Sequence, residues 1–497
     1  MSHLGPDPRP GLTHADADWS GLRVLVTGLG ISGFAAADAL AERGAVVRVI
    51  DAAQTPVVLD RAGLLEGLGV DTRLGPDAVT DRGELDAIDL VVTSPGWRPD
   101  QPLLAAARAA DLPVWGEVEL AWRMRRTQAP AEWLTVTGTN GKTTTVKMLA
   151  SMLTAAGVRA TSAGNVGTPL LEAVLHPQPY QVLAVELSSF QLYWQNSISP
   201  LASACLNLAP DHIDWHGSWQ NYRDAKARVY ENTRVACVYN VQDPVTEQMV
   251  MDAEVIEGCR AIGVTRGIPA ISMLGVVEDV LADRAFVAQR QTSAAELGTF
   301  ADLAPAGQAP PAHYLSNALT AAALARAYGI APVAVREGLR RFRPDPHRIA
   351  ELEPVAGVRF VDDSKATNPH AAAASLAAYA HVVWIAGGLL KGADVEPLVQ
   401  QHAERLRAVV LIGQDRQLIA QALARHASEV PVVEIAETDT GVMDRVVEEA
   451  ARRATQGDVV LLAPAAASMD MFTDYGARGD AFAEAVRRYA DKRTGPT

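Results

Sequence analysis

Residues 133–148 read WLTVTGTNGKTTTVKM, and the fold turns on how this stretch is understood. An apolar, β-branched run delivers the chain into a turn containing Gly138 and Gly141, and a helical stretch begins at once after it. Glycines in such a turn let backbone N–H groups converge on an anion, and the helix N-terminus adds its positive dipole end. The common phosphate-loop spacing, G-x-x-x-x-G-K-[ST], asks for a glycine five places before Gly141, where Val136 stands. A turn that tightens from Gly138 instead keeps the chemistry: Thr139, Asn140 and Gly141 line the loop, Lys142 reaches terminal phosphates, and Thr143 or Thr144 offers a hydroxyl to Mg²⁺. A merely solvated lysine leaves Gly-Lys-Thr at a helix start unexplained. The stretch therefore reads as a phosphate loop. Such a loop needs a carboxylate at the end of a neighbouring strand to hold the metal, and Glu186 closes the apolar run QVLAVE.

A second glycine turn, GLGISG (Gly28, Gly30, Ile31, Ser32, Gly33), lies between the strand LRVLVT and a helical stretch, with Asp51 closing the next strand. That is a dinucleotide fingerprint in its proper context. Taken alone it points to a nicotinamide-dependent oxidoreductase, but the glycines require only close approach of backbone to a diphosphate, so a sugar nucleotide fits equally. A third possibility is a nucleotide-binding switch or scaffold that catalyses nothing.

Apolar β-rich runs alternate with alanine-rich helical stretches along the chain, the pattern of α/β domains with mainly parallel sheets. With 497 residues, the chain is expected to form three domains. Residues 1–19, polar and acidic, read as a disordered tail. An N-terminal Rossmann-like domain is expected over 20–130, a central P-loop ATPase-like domain over 131–344, and a C-terminal Rossmann-like domain over 345–497. RMRRTQAPAEW (123–133) marks the first boundary, RFRPDPHRIAE (341–351) a hinge, and 290–311 an extra loop with no assigned role.

The net charge of −14 disfavours general binding to nucleic acid or anionic membranes. No apolar run is long enough for a membrane span. Cys205, Cys237 and Cys259 share no metal-ligand spacing and read as buried thiols of a cytoplasmic protein.

The motif TGTNGKTTT (137–145) resembles the ATP loop of the Mur ligases, the amide-forming enzymes of peptidoglycan precursor synthesis. ELSSFQL (186–192), NYRDAKARVYEN (221–232) and DDSKATNP (362–369) extend the resemblance, as do GLGISG, SPG (94–96), GNVG (164–167) and PHRI (346–349). Together, in order, they cover nearly the whole chain, and DDSKATNP points to the branch that adds D-glutamate. The resemblance implies UDP-N-acetylmuramoyl-L-alanine, D-glutamate and ATP as substrates, Mg²⁺ at two sites, and a monomer.

The resemblance also implies roles for individual residues. Lys142, His212 and Lys226 would be catalytic. Gly138 to Thr144, with Asn317, Arg348 and Asp363, would hold ATP, Asp363 through the ribose. Gly28, Gly30, Ile31, Ser32, Gly33, Asp51, Ser94, Pro95, Gly96 and Asn165 would hold the UDP-linked substrate. Lys365, Thr367, Lys391, Ser468 and Tyr475, the last standing where the family has Phe, would bind D-glutamate. Metal contacts would come from Thr143, Glu186, His212 and Lys226, the lysine after carbamylation by CO₂. Carbamylation needs a neutral amine, which the positive charges of Arg223 and Arg228 in the same motif would favour.

Overall fold

A computed structural model of the chain describes residues 11–304, 309–437 and 440–494. Among them, three sheets follow one another along the sequence. In the first, β1 (Arg23–Thr27), β2 (Val46–Asp51), β3 (Asp71–Leu74), β4 (Leu90–Thr93) and β5 (Val114–Gly116) lie in the order β3-β2-β1-β4-β5, all parallel. The direction of winding reverses between β1 and β4, which opens a crevice beyond their carboxyl ends.

The second sheet contains β6 (Glu132–Thr137), β7 (Ala160–Gly164), β8 (Val182–Glu186), β9 (Ala202–Cys205), β10 (Ala236–Asn240), β11 (Arg260–Val264), β12 (Met273–Val277), β13 (Val280–Asp283) and β14 (Ala295–Thr299). Their order is β14-β13-β12-β11-β10-β9-β6-β8-β7, parallel from β7 to β12 and antiparallel at the β12–β13–β14 meander. The apolar β6 lies between β8 and β9, with Leu134 and Val136 fully buried. Helices Lys142–Ala155, Ala312–Tyr328 and Pro332–Arg341 bury Leu149, Met152, Leu319 and Val335 in the same core. The third sheet runs β15 (Ala350–Glu351), β16 (Arg359–Asp362), β20 (Val459–Leu462), β17 (Val382–Gly387), β18 (Leu406–Ile412) and β19 (Val432–Glu434), parallel except at β15.

The chain divides into two compact units. One comprises the first two sheets, up to Leu208 and again from Arg223 to Phe342; the other comprises Ala209–Tyr222 and the chain from Arg343 onward. The charged segment read as a boundary near 130 thus separates sheets within one unit. Just before it, every residue of the helix Glu117–Arg123 is buried. Glu119 accepts hydrogen bonds from Asn196 N (2.7 Å), Ser197 N (2.9 Å) and Arg123 Nε (2.6 Å), so its charge is paired rather than solvated. Trp122 meets Trp133 edge-on at 5.0 Å.

Two expectations are corrected. Residues 11–19 are packed rather than disordered: Leu12 and Trp19 are buried, and Trp19 Nε1 donates to His14 O at 3.1 Å. The expected tail residues 1–10 lie outside the described residues. The segment 290–311 is not simply a loop. It contains β14 and the turn Phe300–Asp302, whose Asp302 carboxylate takes Arg336 and Arg340 from the helix Pro332–Arg341. Of this segment, 305–308 fall outside the described residues.

Glu117, fully buried at the start of its helix, accepts Leu171 N at 2.9 Å. Burial pushes its carboxyl from 4.5 up to about 7. The fold therefore keeps a proton that the unfolded chain releases, and stability falls as pH rises between these two values, then levels off. Glu117→Gln should unfold like the native protein near pH 4.5 and more stably at pH 8, by an amount on the order of 3 kcal/mol. Thermal unfolding across that range measures the slope. A second test concerns Gly338, where a Cβ would stand 2.4 Å from Met152 Cα on the facing helix. Alanine gains about 1 kcal/mol of helix propensity, but overpacking against backbone costs about 1–3 kcal/mol. Gly338→Ala should therefore be net destabilising, read as a lower urea midpoint.

Candidate active site

The loop after β6 is built on two glycines that no other residue could replace cheaply. Gly138 has φ +149° and Gly141 φ +87°, and a Cβ on Gly141 would fall 2.4 Å from Asn317 Oδ1. Asn317, buried on the helix Ala312–Tyr328, thus packs against the turn itself. Two residues past β9, Asn207 braces the other side: its carbonyl accepts Thr139 N (3.0 Å), its Oδ1 accepts Asn140 N (2.9 Å), and its Nδ2 donates to Asn140 O (3.1 Å). Sequence reasoning missed Asn207; its one signal is a polar side chain just past the end of a buried strand. Thr143 and Thr144 begin the following helix and are buried.

Both motif lysines reach this loop. Lys142 Nζ donates to Gly138 O at 2.9 Å and Thr139 O at 3.0 Å. Lys226, buried on the helix Trp219–Ala227, donates to the same Gly138 O at 2.9 Å and to Thr137 Oγ1 at 3.2 Å. The arginines expected to set its electrostatics do otherwise. Arg223 pairs with Asp252, and Arg228 binds Glu231 and the carbonyls of Leu192, Tyr193 and Gln195. The cation that shares Lys226's acceptor is Lys142.

Glu186 ends β8 beside β6 and is buried. Its Oε1 accepts Asn165 Nδ2 at 3.0 Å, while Oε2 is buried with no hydrogen-bond partner. Asn165 N also donates to Glu186 O (2.9 Å), and Gly164 permits that approach because a Cβ would lie 2.3 Å from the same oxygen. An orphaned carboxylate oxygen beside a phosphate-type loop fits a hard cation. Among the described residues no three His, Cys, Asp or Glu side chains gather in a metal-binding group. The Glu186 oxygen is a donor of the kind Mg²⁺ takes, since that ion uses one or two carboxylates and completes its shell with phosphates and water.

In the first sheet, the glycine turn sits at the β1–β4 reversal. Gly28 has φ +88°, Ser94 Oγ donates to Gly28 O at 3.1 Å, and a Cβ on Gly33 would lie 1.8 Å from that carbonyl. Gly30 caps the helix Ile31–Ala41 with no side-chain acceptor on its first-turn amides, leaving them for an anion. Ile31 is exposed, Ser32 opens the same helix turn, and Pro95 and Gly96 follow Ser94. Asp51 is turned onto the loop: it accepts Leu29 N at 2.6 Å and Ala53 N at 2.8 Å.

The second unit holds the remaining candidates. His212 sits in the left-handed region (φ +53°), with its ring 3.6 Å from the Asp211 carboxylate. At the carboxyl ends of β16, β20 and β17, which are neighbours in the sheet, three loops carry Lys365 and Thr367, Ser468, and Lys391. Leu389 and Ala467 exchange backbone hydrogen bonds of 2.9 Å, tying the last two loops together. Lys365 Nζ lies 3.7 Å over the Tyr475 ring, a cation–π contact that gives this tyrosine a role in the loop cluster. Asp363 is buried, accepts Ile349 N at 3.3 Å, and is bonded to Ser375 Oγ; burial pushes its carboxyl up to about 6, opposed by Ser375 and Arg348. Arg478 escaped the sequence reading. Fully buried, it donates to Ser364 O (2.8 Å), Ser364 Oγ (3.0 Å) and Ala466 O (3.1 Å), clamping the Lys365 loop to the Ser468 loop.

Comparison with known proteins places this geometry in a lineage. Residues 22–116 match the Mur ligase MurD-like N-terminal domain, 136–325 the Mur ligase middle domain, and 347–466 the Mur ligase glutamate ligase domain. The chain is 58% identical to the UDP-N-acetylmuramoylalanine–D-glutamate ligase of Streptomyces avermitilis, over 95% of this chain and 99% of the relative. To the proteins of the same name from Thermobifida fusca and Mycolicibacterium smegmatis it is 55% and 48% identical, over 95% and 94% of this chain and 99% and 97% of theirs. Among solved structures, the UDP-N-acetylmuramate–alanine ligase of Thermotoga maritima shares the fold at TM-score 0.52 and 19% identity, covering 95% of this chain and 99% of that one. The MurF ligase of Thermotoga maritima in complex with ADP does so at TM-score 0.52 and 16% identity, covering 98% and 100%. With three matched domains in order and near full-length identity to its relatives, the chain belongs to the Mur ligase family.

Proposed function

We propose that the protein joins D-glutamate to UDP-N-acetylmuramoyl-L-alanine at the expense of ATP, as a monomer in the cytoplasm. The observation that carries this reading is the Gly138–Gly141 loop with two lysines at one carbonyl, in a chain 58% identical to a relative of that name. Family membership displaces the nicotinamide reading of the first glycine turn, whose open amides suit the diphosphate of a sugar nucleotide.

A carboxylate is a poor electrophile, so the acceptor's carboxylate oxygen first attacks the γ-phosphorus of ATP, giving an acyl phosphate and ADP. The amine of D-glutamate then attacks the carbonyl carbon, and the tetrahedral intermediate expels phosphate. Every reactant is anionic, so the residues act by positioning and charge neutralisation. In this reading Gly138 to Thr144 cradle the phosphates and Lys142 neutralises the β- and γ-oxygens. Asn317, Arg348 and Asp363 serve the rest of the nucleotide. Gly28 to Gly33, Asp51, Ser94 to Gly96 and Asn165 position the UDP-linked acceptor, and Lys365, Thr367, Lys391, Ser468 and Tyr475 the D-glutamate. Thr143, Glu186, His212 and a carbamylated Lys226 would hold Mg²⁺ at two sites, where the metal supplies further neutralisation of phosphate charge.

Product release tests the reading directly. Sustained, multiple-turnover ADP release from the purified protein should require the UDP-linked acceptor and D-glutamate together; stimulation by L-glutamate, L-alanine or diaminopimelate in its place would move the protein to a sister activity. Lys142→Ala should lower kcat by roughly 100-fold or more, the size of loss expected for a transition-state charge contact. For Lys226, substitution by alanine and depletion of CO₂ from the native enzyme should each depress turnover at least about tenfold, a barrier increase of about 1.4 kcal/mol. Full activity in both experiments removes the carbamate.

A further inference from the structure

Two thiols outside the site described above face each other. Cys237, buried in β10, and Cys259, half-exposed at the turn before β11, have their Sγ atoms 3.7 Å apart. The backbone holds them there: Arg260 N donates to Val235 O, Cys259 N to Ile256 O and Ile256 N to Thr233 O, each at 3.0 Å. A disulfide needs about 2.05 Å between sulfurs, so bond formation closes a gap of about 1.7 Å. Cys205, the third thiol, is buried beside Asn207 O, and burial pushes it up to about 12.

We propose that Cys237 and Cys259 form a reversible disulfide, with Cys259 the attacking thiol and Cys237 the resolving one. The asymmetry of their surroundings sets the order. Cys259 is reached by solvent, and the Cys237 thiol and the Arg260 amide hold it below the ordinary thiol value; contact with Cys259 and burial raise Cys237. The thiolate is the attacking species, and accessibility selects which one meets the oxidant. A low-molecular-weight disulfide is the co-reactant. Cys259 Sγ attacks one of its sulfurs and expels one small thiolate. Cys237 then yields its proton to that thiolate, attacks Cys259 Sγ and expels the second small thiolate, which takes from water the proton that Cys259 released on ionising. Two protein thiols are oxidised and one small disulfide is reduced to two thiols.

The test uses the full chain with glutathione disulfide. Titratable thiols under denaturing conditions should fall from three to one and return with dithiothreitol. No Lys or Arg interrupts the chain between Arg234 and Arg260, so both cysteines fall in one tryptic peptide, 235–260, which should lose the mass of two hydrogens. Cys237→Ser should keep glutathione attached at Cys259, whereas Cys259→Ser should take up none at Cys237. Retention of all three thiols by the native chain, a persistent glutathione adduct without the hydrogen loss, or a cross-link involving Cys205 overturns the proposal.

Discussion

One backbone carbonyl, that of Gly138, receives two ammonium groups, and the rest of the central site is arranged around that convergence. With both Nζ atoms at 2.9 Å from the same oxygen, the two positive charges stand within about 6 Å of each other. At an effective dielectric constant of about 20, their mutual repulsion is on the order of 3 kcal/mol. A polyphosphate lying against the loop relieves it, and so does the conversion of one amine into an anion. The left-handed glycines make the arrangement possible, because only they let the loop carbonyl turn toward both lysines while Asn207 and Asn317 close in from either side.

The same device recurs in the other two sheets. A glycine pair lies at the carboxyl end of a parallel strand, where backbone must come closer to backbone than any side chain allows. Gly33 abuts the Gly28 carbonyl, and Gly387 and Gly388 abut the carbonyls of Ile412 and Ala467. In each case polar side chains from neighbouring elements fix the turn: Ser94 and Asp51 in the first sheet, Asp415 and Arg478 in the third. A parallel sheet directs all its strand ends the same way, so its loops gather wherever the order of strands reverses.

Most of this was legible in the chain itself, and the exceptions share a cause. Strand–glycine–helix punctuation located the first two sheets, alternation of apolar and helical runs beyond the hinge located the third, and the place of Glu186 at a strand end followed from the apolar run before it. Lys226 was legible as part of a motif, but its surroundings were not: adjacent Arg223 and Arg228 lean toward acids and carbonyls, and its electrostatic neighbour comes from 84 positions earlier in the chain. The charged segment 123–133, read as a boundary, gave no hint that Arg123 at its start is neutralised by Glu119 inside the core. Leu12 and Trp19 were overlooked because a few apolar side chains in a polar stretch carry no periodicity. Arg478 and Asn207 act through backbone carbonyls and amides, which leave no imprint on residue identity.

The Arg478 clamp has a consequence for how the protein is made. Ser364 and the arginine that fixes it are separated by 114 residues, and Arg478 belongs to the last helix of the described chain, Tyr475–Thr494. At a synthesis rate of about 5–20 residues per second, the loop bearing Lys365 leaves the ribosome roughly 6–20 s before its anchor exists. For most of that interval β17 to β20 are themselves still being made, and until it ends the Ser364 and Ala466 carbonyls lack the guanidinium that satisfies them. Completion of the Lys365 and Ser468 loops is therefore among the last events of biogenesis, and loss of the final helix leaves three buried polar contacts without a donor.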